Sequence, residues 1–291
     1  MHLIVCFSAI ACSRYRFFFA VCGIGILYST LFMQKLSRLK IRLLVPDNVS
    51  LSYCNGSLFH GVLMSLIDSD YAGFLHESQL HPYSQYISRE EDGAVFWVIS
   101  CANEESRNRI ITIMMSQEKV FLEKINAEIG LGERSYSELS YDSLSALFYG
   151  EPLPRFIDLR IVTPMSFKSE GEYCFFPDIR KMYKSLMNKY DAAMKDSSST
   201  VFDLSALNEL CETTKITRYN LRSRTFPVEG VSIPSFSGTL SLRISGSKSM
   251  INFAHMLFRF GEYSGVGIKT SIGMGAIRIE NSNGGMKHVI D

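Results

Sequence analysis

The chain of 291 residues has seven cysteines but no C-x-x-C pair among them: Cys6, Cys12, Cys22, Cys54, Cys101, Cys174 and Cys211 are scattered. An odd, unclustered set argues against both a disulfide framework and a zinc knuckle. The thiols are expected to be free and buried, in a reducing cytosol. An excess of either charge is lacking too: 30 Lys and Arg stand against 29 Asp and Glu, for a formal net charge of +1. A surface that binds a polyanion must therefore be a local patch, not a basic average. Residues 1–32 contain no Asp, Glu or Lys, and their arginines are Arg14 and Arg16. The apolar run from Phe17 to Phe32 is shorter than the roughly 20 residues of a membrane span. No small-x-small cleavage site follows it. Residues 1–32 are read as a non-functional N-terminal extension or hydrophobic leader, with translation starting at Met33. A membrane anchor is the competing reading. The expectation is a cytoplasmic protein with no membrane partner.

What is present suits a folded core. Hydrophobic residues make up 46% and charged residues 20%, which fits about two globular domains. Strands are expected at 41–45, 82–87, 95–100 and 119–125, with helices at 57–67, 72–77 and 103–115. The helix at 57–67 rests on apolar residues 58, 59, 62, 63, 66 and 67 recurring at helical spacing. The strand Val95–Ser100 rests on its aromatic and β-branched content. The order reads βαββαβ. After a linker with Gly150, Pro152 and Pro154 the order repeats. Strands are expected at 157–163, 214–225, 236–244 and 276–280, with helices at 179–190, 204–213 and 250–260. The fold expectation is α+β: two tandem ferredoxin-like (RRM-like, βαββαβ) domains, at 33–150 and 151–282, followed by a tail at 283–291.

Residues 261–276 read GEYSGVGIKTSIGMGA. Glycine permits positive φ and close approach of a ligand, and successive amides can cradle an anion. A P-loop or dinucleotide fingerprint runs from strand to helix, whereas this segment runs from helix to strand, so neither nucleotide site fits. A tight structural turn and a docking surface for an RNA backbone remain as readings.

The fuller string GEYSGVGIKTSIGMGAIRI resembles the signature of the repeat-associated RNA-binding (RAMP) superfamily, and within it the Cas6 family of CRISPR repeat-cleaving endoribonucleases. Three further blocks agree in order: FLHESQLHPYSQYI (74–87), VTPMSFKSEGEYCFFPD (162–178) and SRTFPVEGVSIPSFSGTLSLRISG (223–246). The resemblance implies a metal-independent endoribonuclease that matures CRISPR RNA. The ribose 2′-OH attacks the adjacent phosphate and leaves a 2′,3′-cyclic phosphate and a 5′-OH. It implies no cofactor and no metal. The partners it implies are repeat RNA or crRNA, other subunits of an interference complex, and a second copy of the chain. The alternative is a catalytically inactive RAMP-type crRNA-binding subunit.

Such a cleavage needs a base, an acid and positive charge at the phosphorane, and histidine serves either proton role near neutral pH. The LHE at 75–77 matches the place where many members of the family carry their catalytic histidine, so His76 is the expected base or acid. Some members have a tyrosine on the first helix where this chain has Met64, and a lysine after the histidine where it has His81-Pro82. His60 and His81 are therefore the candidates to complete the site. His255 is read as a packed or surface residue of its helix. The expected RNA-binding residues are Gly265, Gly267, Lys269, Thr270, Gly273 and Gly275 in the glycine-rich segment. To these are added Arg218, Arg222 and Arg224, which period two places on one strand face with Tyr219 interleaved. Cutting is thus expected at His76, far before the glycine-rich segment in sequence.

Overall fold

The computed structural model describes residues 34–194, 201–228 and 230–280. The expectations for residues 1–32 and for the 283–291 tail lie outside the described residues.

The first strand, β1 (Lys35–Leu44), alternates as its sequence KLSRLKIRLL requires: Leu39, Ile41 and Leu43 are buried, while Arg38, Lys40 and Arg42 point away from them. A 3-10 turn at Tyr53–Asn55 leads into α1 (Gly56–Leu66), which buries Phe59 and Leu63. Asp68 accepts from the Tyr71 amide and so caps α2 (Ser69–Glu77). The hairpin β2 (Tyr83–Arg89) and β3 (Val95–Cys101) follows. Next come α3 (Glu104–Ser106), a π turn at Arg107–Ile111, and α4 (Thr112–Ser116). Asn103 caps this helical stretch by accepting from the Ser106 amide.

The strand expected at 119–125 is corrected. The chain forms β4 (Lys119–Leu122), turns at Asn126 in the left-handed region, and returns as β5 (Ala127–Ser140). The sheet order is β2-β3-β1-β5-β4, all antiparallel. β5, not β4, therefore takes the fourth place of the ferredoxin-like motif beside β1. Its sequence hides it. Gly130 and Gly132 lower strand propensity, and beyond Leu131 no residue of the strand is fully buried, so no alternation shows. α5 (Tyr141–Tyr149) was unexpected as well; Ser140 caps it by accepting from the Ser143 amide.

The second half contains β6 (Phe156–Met165), the short hairpin β7 (Phe167–Ser169) and β8 (Glu172–Cys174), α6 (Ile179–Ala193) and α7 (Leu204–Thr213). It continues with β9 (Thr214–Val228), β10 (Val231–Ile244), α8 (Lys248–Ser264) and β11 (Ile277–Glu280). The sheet order β11-β6-β10-β9 is again ferredoxin-like. α8 is buried almost all round, because the sheet covers one side and α5 and α6 the others. Asn252 on α8 holds the linker between the halves. Its amide nitrogen donates to the carbonyls of Phe148, Gly150 and Glu151, and its oxygen accepts from the Leu153 amide at 3.0 Å. His255 Nε2 lies 2.7 Å from the Pro154 carbonyl. The halves share a core: Leu36, Ala102, Tyr141 and Leu144 pack into the cluster built mainly by α6, α8 and the second sheet. No described helix is long and apolar enough to cross a membrane.

Candidate active site

α1 and β2 bring His60 and Tyr83 together. The Tyr83 hydroxyl lies 2.8 Å from His60 Nδ1. Gln85, two residues along β2, donates to the Gly56 carbonyl at 2.8 Å and accepts from Trp97 Nε1 at 2.6 Å. This buried bridge fixes the start of α1, and with it the turn that bears His60. His81 completes a set of nearly parallel rings. Its centroid lies 6.4 Å from His60 and 5.7 Å from Tyr83, with interplanar angles of 17° and 15°.

Burial sets the protonation of this group. It pulls His60 down to about 4, helped by the positive charges of His81, His76 and Lys269 and opposed by the Ser271 carbonyl. His81 is lowered as well, by burial first; the Leu75 carbonyl opposes, and His76 and Lys269 add to the depression. Burial raises the Tyr83 phenol, which therefore keeps its proton. The Tyr83 hydroxyl and His60 Nδ1 share a hydrogen bond whose direction the histidine tautomer sets, and the Ser271 backbone acts on His60 as well. His60 thus joins the first half to the glycine-rich segment. His76 differs from both: it is exposed, in the last turn of α2.

The depressed His60 makes stability pH-dependent. Its folded value lies near 4 and its ordinary value is 6.5. Between them the unfolded chain binds the extra proton, so stability falls as pH falls. The contribution is complete above about pH 6.5 and lost as pH falls through about 4. It is at most about 3 kcal/mol, less the share that solvent screens. Urea midpoints taken from pH 7 to 4 should fall more steeply for the wild type than for His60→Gln. Equal slopes would count against a neutral, buried His60.

The glycine-rich segment folds back against these elements. Gly265, Gly267, Gly273 and Gly275 all have positive φ. A Cβ on Gly267 would lie 2.3 Å from the Ser166 carbonyl oxygen, and one on Gly275 would lie 1.9 Å from that of Val266. From the other side, a Cβ on Gly56 at the start of α1 would lie 2.3 Å from the Ile272 carbonyl oxygen. The segment's amides are largely engaged within the protein. Val266 donates to the Gly275 carbonyl, Gly267 to Ser185 Oγ, Ile268 to the Ser166 carbonyl, and Gly275 to the Pro164 carbonyl.

Of the six expected RNA-binding positions in this segment, Gly265, Thr270, Gly273 and Gly275 are buried, Gly267 is half-buried and Lys269 is exposed. Only Lys269 presents a charged side chain. It sits at φ +57°, left-handed, and opens the 3-10 turn Thr270–Ile272. Its charge acts on His60 and His81 alike. The fold therefore gathers His60, His76, His81 and Lys269 at one place, although sequence order sets Lys269 far from the histidines. Tyr83 and Ser271 belong to the same network and were missed. Each reads in sequence as an ordinary strand or loop residue, and no local pattern marks it out.

Arg218, Arg222 and Arg224 are exposed on β9, an edge strand, opposite Ser241, Ser237 and Ser235 of β10. Their serine partners share one sheet face. Tyr219 lies on the other face and is 61% exposed. The Arg224 charge reaches Tyr53, in the turn before α1, and Tyr53 stacks on Phe226 at 6.2 Å. The arginine row thus runs towards the helix that bears His60. Among the described residues, no group of three or more His, Cys, Asp or Glu side chains could hold a metal ion.

Known proteins resemble this chain in sequence and in fold. The family model of the CRISPR-associated endoribonuclease Cas6 matches residues 159–277. The Streptococcus thermophilus protein of that name is 33% identical over 222 residues, spanning 76% of this chain and 90% of the relative. Its Mycobacterium tuberculosis counterpart is 31% identical over 229 residues, spanning 77% and 71%. In structure, a Cas6 product complex aligns with a TM-score of 0.68 at 23% identity, covering 84% of this chain and 99% of the other. Thermus thermophilus Cas6 aligns at 0.64 and 18% identity, covering 85% and 99%. At these identities the two structures show likeness of fold.

Proposed function

The chain belongs to the CRISPR-associated endoribonuclease Cas6 family, and on that premise we propose that it cuts CRISPR repeat RNA by attack of a ribose 2′-OH on the adjacent phosphate. One oxygen–phosphorus bond forms and the bond to the 5′-oxygen breaks. The products are a 2′,3′-cyclic phosphate and a 5′-OH. A base takes the 2′-OH proton and an acid returns one to the leaving oxygen. His76 takes one of these roles, because it is the exposed histidine of the cluster. His60 and His81 are held towards their neutral forms by burial, and they position the site. The Lys269 ammonium meets the charge that builds on the phosphorane. Arg218, Arg222 and Arg224 carry the RNA backbone towards the cut. In this reading the half at 33–150 supplies the histidine and the half at 151–282 supplies the cation.

The observation that carries the proposal is that the turn Lys269 opens packs against α1 and β2, the elements that bear His60 and Tyr83. Purified protein incubated with repeat RNA in EDTA should cleave it. Mass analysis should find a cyclic phosphate on the upstream fragment and a 5′-OH on the downstream one. A 3′-OH with a 5′-phosphate, or cleavage only on adding a divalent cation, would overturn this mechanism. No cleavage under either condition would leave an RNA-binding subunit on the same fold.

A further inference from the structure

Lys189 stands on α6 among Leu186, Met187, Tyr190 and Ala193, and is only 8% exposed. A lysine so buried is rare without a purpose. No ion pair is formed with it among the described residues. Its ammonium instead meets three oxygens: the carbonyls of Ser264 at 3.4 Å and Gly265 at 3.1 Å, and Thr270 Oγ1 at 3.1 Å. Three acceptors match the three N–H donors of an ammonium. They are not equivalent in place. Ser264 and Gly265 are where the glycine-rich segment leaves α8, and Thr270 is the neighbour of Lys269 at its apex. The Thr270 methyl packs into the space that a Cβ on Gly265 would need, 2.7 Å away, so the hydroxyl is turned towards Lys189.

We propose that Lys189 is a positioning residue for cleavage: it ties the root of the glycine-rich segment to its apex and thereby sets Lys269 beside the histidines. Lys189 is buried and does not touch RNA. Burial draws its ammonium down to about 7, a penalty that an apolar side chain at this packed site would not carry. The three oxygens all meet the Lys189 nitrogen there. The His60–Tyr83 pair anchors the segment from α1 and β2, and Lys189 anchors it from α6. The exposed Lys269 lies between these two anchors.

This inference rests on the proposed cleavage, and the test separates the two. Single-turnover cleavage and the Kd for a repeat RNA with a 2′-deoxy cut site are measured for four chains: wild type, Lys189→Met, Lys269→Ala and the double variant. Lys189→Met should slow cleavage roughly ten- to a hundredfold, the effect expected of a misplaced group. Its Kd should move by less than about threefold, since no RNA contact is lost. In the Lys269→Ala background the same change should add almost nothing. Thr270→Val, which keeps its shape but loses one of the three oxygens, should cause a smaller loss in the same direction; it replaces Lys189→Met if that chain does not fold. Independent, multiplying effects, an unchanged rate, or a loss carried by Kd would overturn the role of Lys189. A wild type that fails to cleave would count against the proposed function instead.

Discussion

Replacing His76 by Ala lowers the single-turnover cleavage rate by roughly a hundred- to ten-thousandfold, the usual worth of one positioned proton-transfer group. Affinity for repeat RNA stays close to that of the wild type, because the arginine row on β9 that carries the RNA backbone is untouched. The size of the loss follows from the neighbours. His60 is pulled to about 4 and its Nδ1 is occupied by the Tyr83 hydroxyl. His81 is lowered by the same burial. In the proposed reading both stay packed in the ring stack with Tyr83 and act by positioning the site. His81→Ala should therefore cost cleavage less than His76→Ala, and by disturbing the ring stack rather than the chemistry. A His76→Ala protein that cuts within about threefold of the wild-type rate would remove His76 from the mechanism.

The second large effect is on folding. Gly275→Ala should destabilise the chain by roughly 3–5 kcal/mol, read as the urea midpoint of the full chain. Two costs combine. The residue has φ +68°, and its new Cβ would lie 1.9 Å from the Val266 carbonyl oxygen. That oxygen belongs to backbone, and it cannot swing aside as the end of a side chain could. Gly93→Ala is the internal control. Its φ is +85°, yet nothing lies within 4 Å of the added Cβ. It carries only the backbone penalty, about 1–2 kcal/mol. Equal losses at the two positions would show that backbone conformation, not close packing, is what glycine provides at 275. Any Gly275→Ala protein that does fold should also cleave poorly, since the segment it distorts presents Lys269.

Much of the fold was legible in the residues. α1 follows its apolar period and β3 its aromatic and β-branched content, and α6 and α8 overlap their expected ranges, while the strand expected at 41–45 begins earlier, at Lys35. The element order alone pointed to two ferredoxin-like halves, and both sheets have that strand order. β5 escaped because its outer part buries no side chain fully; without a buried face, no period of two appears in the sequence. α5 escaped because a nine-residue helix after a polar strand offers little more than its Ser140 cap.

The glycine-rich segment shows where sequence reasoning reached its limit. The residues themselves showed that it can adopt positive φ, that it runs from helix to strand, and that it resembles a known signature. The family resemblance marked His76, and His60 and His81 were the candidates to complete the site. Only the tertiary structure decided that the segment's glycines pack against protein and that the Lys269 charge acts on the histidines. It also decided which histidines are held neutral. The physical reason is range. Periodicity and turn chemistry act between neighbours in the chain, whereas burial, close backbone approach and charge coupling depend on which distant segments the two packed halves bring together.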